Sequence, residues 1–274
     1  LLSVPSAWLT LPLLVWLISK YGLGGAAWAY AFGALATLPL GIWMWRRQSI
    51  SGGSLGAGDY KQLMSSALPL LLIRTMSMLT RWVDTLMIGA WLGQADVALY
   101  NIAFQIAGLF SFALLAIASI AGPKFSELWH QRQLFELEQQ ARVAALIVIA
   151  LVTPAFVAVM LFARPILSVF GQDFVEAAPT LQVLDVGQFL NAATGAVGVL
   201  LLMTWHEKLM RNIIVLSTIV NVTLNVLLIP RLGIYGAAVA SAISFVLLKL
   251  LAALFVYRKA GISALPYWPR RHIA

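Results

Sequence analysis

Apolar residues run along the chain in stretches of about 20, the length a helix needs to cross a hydrocarbon core of about 30 Å. Charge, glycine or proline punctuates them. Eight such runs cover residues 1–18, 24–45, 63–92, 97–121, 142–163, 178–203, 209–229 and 233–257. None shows the strict alternation of a barrel strand, and backbone groups in lipid must be satisfied within the segment, so each run predicts a helix. The fold class expected is therefore all-α, a polytopic membrane protein with eight transmembrane helices. The longest connection, 124–141, leaves no room for a soluble domain. That connection, KFSELWHQRQLFELEQQA, mixes Phe125, Leu128, Trp129, Phe135 and Leu137 with charges. After Pro123 it reads as an amphipathic helix lying on the membrane interface. The stretch 164–179 reads as an outer interfacial turn of helix broken at Gly171.

Composition agrees: of 274 residues, 61% are hydrophobic and 10% charged, with mean hydropathy +0.90. Soluble domains carry about a quarter charged residues. Cysteine is absent, which removes disulfides, thiol catalysis and thiolate metal sites. A net charge of +8 raises nucleic acid as a partner until the cations are placed. Arg46, Arg47, Lys61, Lys124, Arg132, Arg142, Lys208, Arg211, Arg258, Lys259, Arg270 and Arg271 fall on one side of the membrane, against Lys20, Arg164 and Arg231 on the other. This is the excess expected of cytoplasmic segments. It puts the C-terminus in the cytoplasm and makes nucleic acid unnecessary as a partner.

GLGGAAWAYA at 22–31 and GIYGAAVASA at 233–242 match at six of ten positions and lead into runs of the same orientation. Two readings stand: a parallel repeat of six-helix halves, or the small residues common wherever membrane helices pack closely. The repeat implies a fragment, with about four spans of a first half lying upstream of Leu1.

At 100° per residue, Arg74, Ser77, Arg81 and Asp84 lie within about 80° of one another and form a polar stripe on the third run. Two arginines near mid-membrane are costly against lipid, about 2.5–3.5 kcal/mol each, so they should face a wet cavity. Arg81 and Asp84 also read as a structural pair at i and i+3. Arg74 has no such partner on its own helix, and its guanidinium suits a phosphate or pyrophosphate. Asn101 and Gln105 pair on the fourth run, Gln182, Asp185 and Gln188 cluster on the sixth, and Thr218, Asn221 and Asn225 on the seventh. Such amides either join helices or line a sugar path. Asp84 and Asp185 are the acids at membrane depth, so a proton or sodium site here would use one of them. Lys249 is expected to snorkel towards the cytoplasmic interface. Prolines 5, 12, 39, 69 and 154 fall within runs, and a kink at Pro69 would swing the arginine stripe.

Catalysis finds no constellation: His130, His206 and His272 are expected in cytoplasmic segments, and no metal or paired-carboxylate spacing occurs. No cofactor is implied.

The runs RWVDTLMIGAWLGQADVALYNIA (81–103), PILSVFGQDFVEAAPTLQVLDVGQFLNAATGAVGVLLLMT (165–204) and NVTLNVLLIPRLGIYGAAVASAIS (221–244), in that order and spacing, resemble the lipid-linked oligosaccharide flippases. These are the polysaccharide branch of the multidrug/oligosaccharidyl-lipid/polysaccharide exporter superfamily. The resemblance implies two six-helix lobes: residues 1–46 as the last two helices of the N-terminal lobe, 47–61 a cytoplasmic linker, 62–258 the C-terminal lobe and 259–274 a cytoplasmic tail. It implies alternating access and export, across a bacterial inner membrane, of an undecaprenyl-pyrophosphate-linked oligosaccharide for O-antigen or capsule. Polysaccharide polymerase machinery is an implied partner, and Arg74 and Arg81 are the implied pyrophosphate contacts. Trp205 departs from the small residue expected there. A peptidoglycan-precursor flippase, a drug or cation antiporter and a membrane-embedded glycan enzyme remain as alternatives.

Overall fold

The computed structural model describes residues 82–194, 197–203 and 207–260 continuously, together with 14–22 and scattered positions between 24 and 79. The chain divides into two compact units, Leu1–Leu63 and Met64–Ala274. In the first, residues 14–22 form helix α1.

The second unit is a helical bundle. It comprises α2 (residues 82–91), α3 (Gln94–Gly108), α4 (Phe110–His130), α5 (Leu134–Ser168), α6 (Ala178–Ala193), α7 (Val197–Met203) and α8 (Glu207–Ala260). A short 3-10 helix, Gln172–Ala177, precedes α6. Every regular element among the described residues is helical, as the apolar runs predict. Three segments are long and apolar enough to cross a membrane: Gln94–His130, Leu134–Ser168 and Lys208–Arg258.

The chain reverses where single residues leave helical geometry. Gly233, at φ 60° and ψ −143°, splits α8. A left-handed φ suits a residue with no Cβ, and Pro230 just before it weakens the helix on that side. The two arms, 207–232 and 234–260, fold back on each other, since Ser217 Oγ donates to the Ser244 carbonyl and Asn221 Nδ2 to Ser241 Oγ. Gly171, at φ 135°, makes the equivalent turn between α5 and α6, and the Gln182 amide returns to the Met160 carbonyl at 3.0 Å. That bond falls just before Phe162, where α5 is bent ahead of Pro165.

Residues 124–141 do not form a separate interfacial helix. Pro123 sits inside α4, which continues to His130; the chain turns over three residues with Arg132 at φ 57°, and α5 begins at Leu134. Of the apolar residues that suggested a membrane-surface face, Phe125, Leu128 and Leu137 instead join the two helices, packing in one core with Ala141, while Phe135 is exposed. An amphipathic stripe has the same period whether lipid or a neighbouring helix covers it, and membrane helices tolerate proline. The run 178–203 is likewise two helices, α6 and α7.

An exposed apolar belt surrounds a core that is partly polar. Ile120, Leu146, Leu151 and Ile219 are exposed, as a lipid-facing belt requires, whereas Asp84, Asp185, Asn221, Asn225, Ser241 and Lys249 are buried. Lys249 is thus enclosed by helices rather than snorkelling from a lipid-facing surface.

Candidate functional site

The turn at residues 92–93 folds α3 back along α2, which sets Asp84 beside Tyr100 and Thr85 beside Asn101. The α8 hairpin then brings Asn221, Asn225 and Ser241 to the same place. Asp84 is 2% exposed. Its Oδ2 accepts from the Tyr100 hydroxyl at 3.0 Å and from Ser241 Oγ, and its Oδ1 accepts from Asn225 Nδ2. Asn225 Nδ2 also reaches Asn221 Oδ1 at 3.2 Å, while Asn225 Oδ1 is buried without a partner. Among the described residues every partner of Asp84 is neutral.

This cluster forms one wall of a cavity of about 620 Å³ enclosed by α2, α3, α4, α6 and α8. Gln188, Asn191, Ser217, Thr218, Asn221 and Ser244 give it polar groups, and Phe104, Phe112, Leu115, Phe245 and Leu248 give it apolar ones. Gln188 is itself tied by Asn191 Nδ2 at 3.0 Å. A second cleft of about 560 Å³ shares Phe104, Gly108 and Phe112 with the first and holds Asn101 and Gln105. Asn225 is fully buried behind the cavity wall. Asp185 stands apart on α6: it is 0% exposed, and neither carboxylate oxygen has a partner among the described residues. Arg74, Ser77, Arg81, Pro69, Trp205, His206, His272 and the linker 47–61 lie outside the described residues, as does the tail beyond Ala260.

Sequence spacing found Asp84, Asn221 and Asn225 but missed Tyr100 and Ser241. Tyr100 lies 16 residues from Asp84, a separation that becomes contact only through the hairpin. Ser241 lies within the Gly/Ala-rich GIYGAAVASA stretch, where small residues advertise close packing. That packing is real: an added Cβ on Gly187 would fall 2.8 Å from Ala242 Cα.

Two family models match the sequence. One, described as a polysaccharide biosynthesis protein, matches residues 6–129; the other, MatE, matches residues 69–227, more than half of the chain. The chain belongs to the MatE family. It sits within the multidrug/oligosaccharidyl-lipid/polysaccharide exporter superfamily, as the resemblance in its sequence implied. Among relatives of this MatE chain is a probable low-salt glycan biosynthesis flippase, Agl15, of Haloferax volcanii, 31% identical over 60% of this chain and 35% of that protein. A probable flippase of the same organism, AglR, is 27% identical over 62% and 37%. The chain spans about a third of the length of these relatives. Among solved structures, a MATE protein in the bent conformation superposes with a TM-score of 0.73 at 17% identity, covering 95% of this chain and 61% of that one. The lipid II flippase MurJ in an inward closed conformation gives 0.72 at 14%, covering 93% and 55%. These likenesses show that the MatE chain has the helical fold of membrane transporters.

Proposed function

We propose that the protein moves a lipid-linked glycan across the membrane by alternating access. The observation that carries this reading is a cavity that places amides, hydroxyls and a carboxylate among apolar groups, inside a bundle whose outer face is apolar, in a chain whose named relatives are flippases. Polar groups held at membrane depth mark a route for a polar cargo. The finer form is an undecaprenyl-pyrophosphate-linked oligosaccharide carried across a bacterial inner membrane for surface polysaccharide such as O-antigen or capsule. In it the C-terminus is cytoplasmic, and polymerase machinery receives the product. Arg74 and Arg81, with Ser77, hold the pyrophosphate; Gln188, Asn101 and Gln105 meet the sugars.

Asp84 is the coupling site in this reading. It supplies one negative charge, and rotation of its amide and hydroxyl neighbours turns oxygen lone pairs towards a small hard cation. The unpartnered Asn225 Oδ1 supports this, because a buried acceptor with no donor is satisfied once a cation sits beside it. Asn221 and Asn225 then serve the ion rather than the glycan. Asp185 has no hydrogen-bond partner among the described residues, so in this reading it would carry a proton rather than a metal cation.

A second reading, a drug or cation antiporter, is favoured by these two buried acids and by the MATE-like fold. The two separate in proteoliposomes of the full-length protein. Labelled lipid-linked glycan crosses in the first reading, and Arg74→Ala lowers the rate about tenfold or more while Arg74→Lys keeps part of it. Wild-type activity in Arg74→Ala overturns the arginine assignment, and export of organic cations without glycan movement favours the antiporter.

A further inference from the structure

The second cleft carries chemistry that pyrophosphate capture and ion coupling leave unused. Trp82 and Thr85 come from α2; Tyr100, Asn101, Phe104, Gln105 and Gly108 come from α3, with Phe112 one turn further on. Asn101, Gln105, Gly108 and Phe112 follow one another at i, i+4, i+7 and i+11, so one face of the α3–α4 helix builds the floor.

Three observations point to an occupant. Trp82 is 53% and Phe112 69% exposed, which leaves open ring faces at the cleft. Asn101 accepts a hydrogen bond from Thr85 Oγ1 at 3.2 Å, which leaves its Nδ2 to donate, and the exposed Gln105 amide has no partner among the described residues. An unsatisfied amide at membrane depth is costly unless a polar group meets it. Among the described residues lining this cleft none is charged. Aromatic faces with amides and hydroxyls fit an uncharged pyranose: its C–H faces lie on the rings and its hydroxyls take the amides. The volume lies within the range of small-ligand sites.

Gly108 sets the opening. It borders both cavities, and an added Cβ there would meet nothing within 4 Å. The space beside it is empty, and a larger side chain would grow into the cleft without displacing backbone.

We propose that this cleft is a subsite for uncharged sugar rings of the carried glycan, with Trp82 and Phe112 as stacking faces, Asn101 and Gln105 as hydrogen-bonding groups, and Gly108 as its aperture. The proposal rests on the glycan-transport reading and adds which part of the cargo this surface reads.

The test uses purified full-length protein and two probes, undecaprenyl diphosphate alone and undecaprenyl diphosphate carrying a neutral disaccharide. Wild type should bind the second about tenfold more tightly. Gly108→Phe should abolish that difference while leaving affinity for the bare diphosphate within about twofold, and Gly108→Ala should behave as wild type. Gln105→Leu, which fills no space, should lose about fivefold for the glycosylated probe alone. It decides the matter if Gly108→Phe fails to give a monodisperse protein. Equal affinity of wild type for both probes, or equal loss of both in Gln105→Leu, overturns the subsite and leaves transport standing. Binding of neither probe by wild type overturns both.

Discussion

Asp84 and Asp185 are the same residue, both enclosed in the bundle, 2% and 0% exposed, yet their surroundings are opposites. Asp84 sits where four helical segments converge, and Tyr100, Asn225 and Ser241 each donate to it. Asp185 lies on α6, where Leu181 and Leu184 pack in the apolar core, and has no hydrogen-bond partner among the described residues. Burial alone therefore says little about what a carboxylate does. The proposed ion site needs groups that can turn oxygen towards a cation, and Asp84 has them as hydrogen-bond partners where Asp185 does not.

The largest expected effect is that of Asp84→Ala. It removes three hydrogen bonds, although Tyr100 and Ser241 can still bond each other and Asn225 keeps Asn221, and at about 1–3 kcal/mol for each group left unsatisfied the loss should reach about 2 kcal/mol or more. Thermal unfolding in detergent would show it as a clear drop in Tm, and an unchanged Tm would mean the cluster is not holding the hairpins together. Ser241→Ala should cost less, about 1 kcal/mol, because Tyr100 and Asn225 still serve Asp84. Smallest is Asp185→Asn. With no hydrogen bond to lose, stability should stay within about 1 kcal/mol of wild type or rise. A loss as large as that of Asp84→Ala would erase the contrast between the two sites.

Much of the fold was legible because lipid forces apolar runs into helices and leaves length as the readable variable. The breaks were less so. Residues 124–141 carry an amphipathic period, and only packing of Phe125 and Leu128 against Leu137 and Ala141 shows that a helix covers that face rather than headgroups. Within the site, Asn221 and Asn225 were visible because i and i+4 share a helix face. Tyr100 and Ser241 were not, because their link to Asp84 depends on how two hairpins lie side by side, which no periodicity encodes. The second cleft was half visible: Asn101 and Gln105 stood out as amides, whereas Trp82 and Phe112 were indistinguishable from ordinary apolar residues until an opening appeared beside Gly108.

Coupling of glycan movement to a cation is where Asp84 and Asp185 should part most sharply. It is read as the rate at which labelled lipid-linked glycan crosses the membrane of proteoliposomes holding the full-length protein, with and without an imposed sodium gradient, for wild type, Asp84→Asn and Asp185→Asn. The gradient should accelerate wild type and Asp185→Asn alike, and Asp84→Asn should lose the acceleration. Retained sodium dependence in Asp84→Asn, or its loss only in Asp185→Asn, would contradict the assignment of coupling to Asp84.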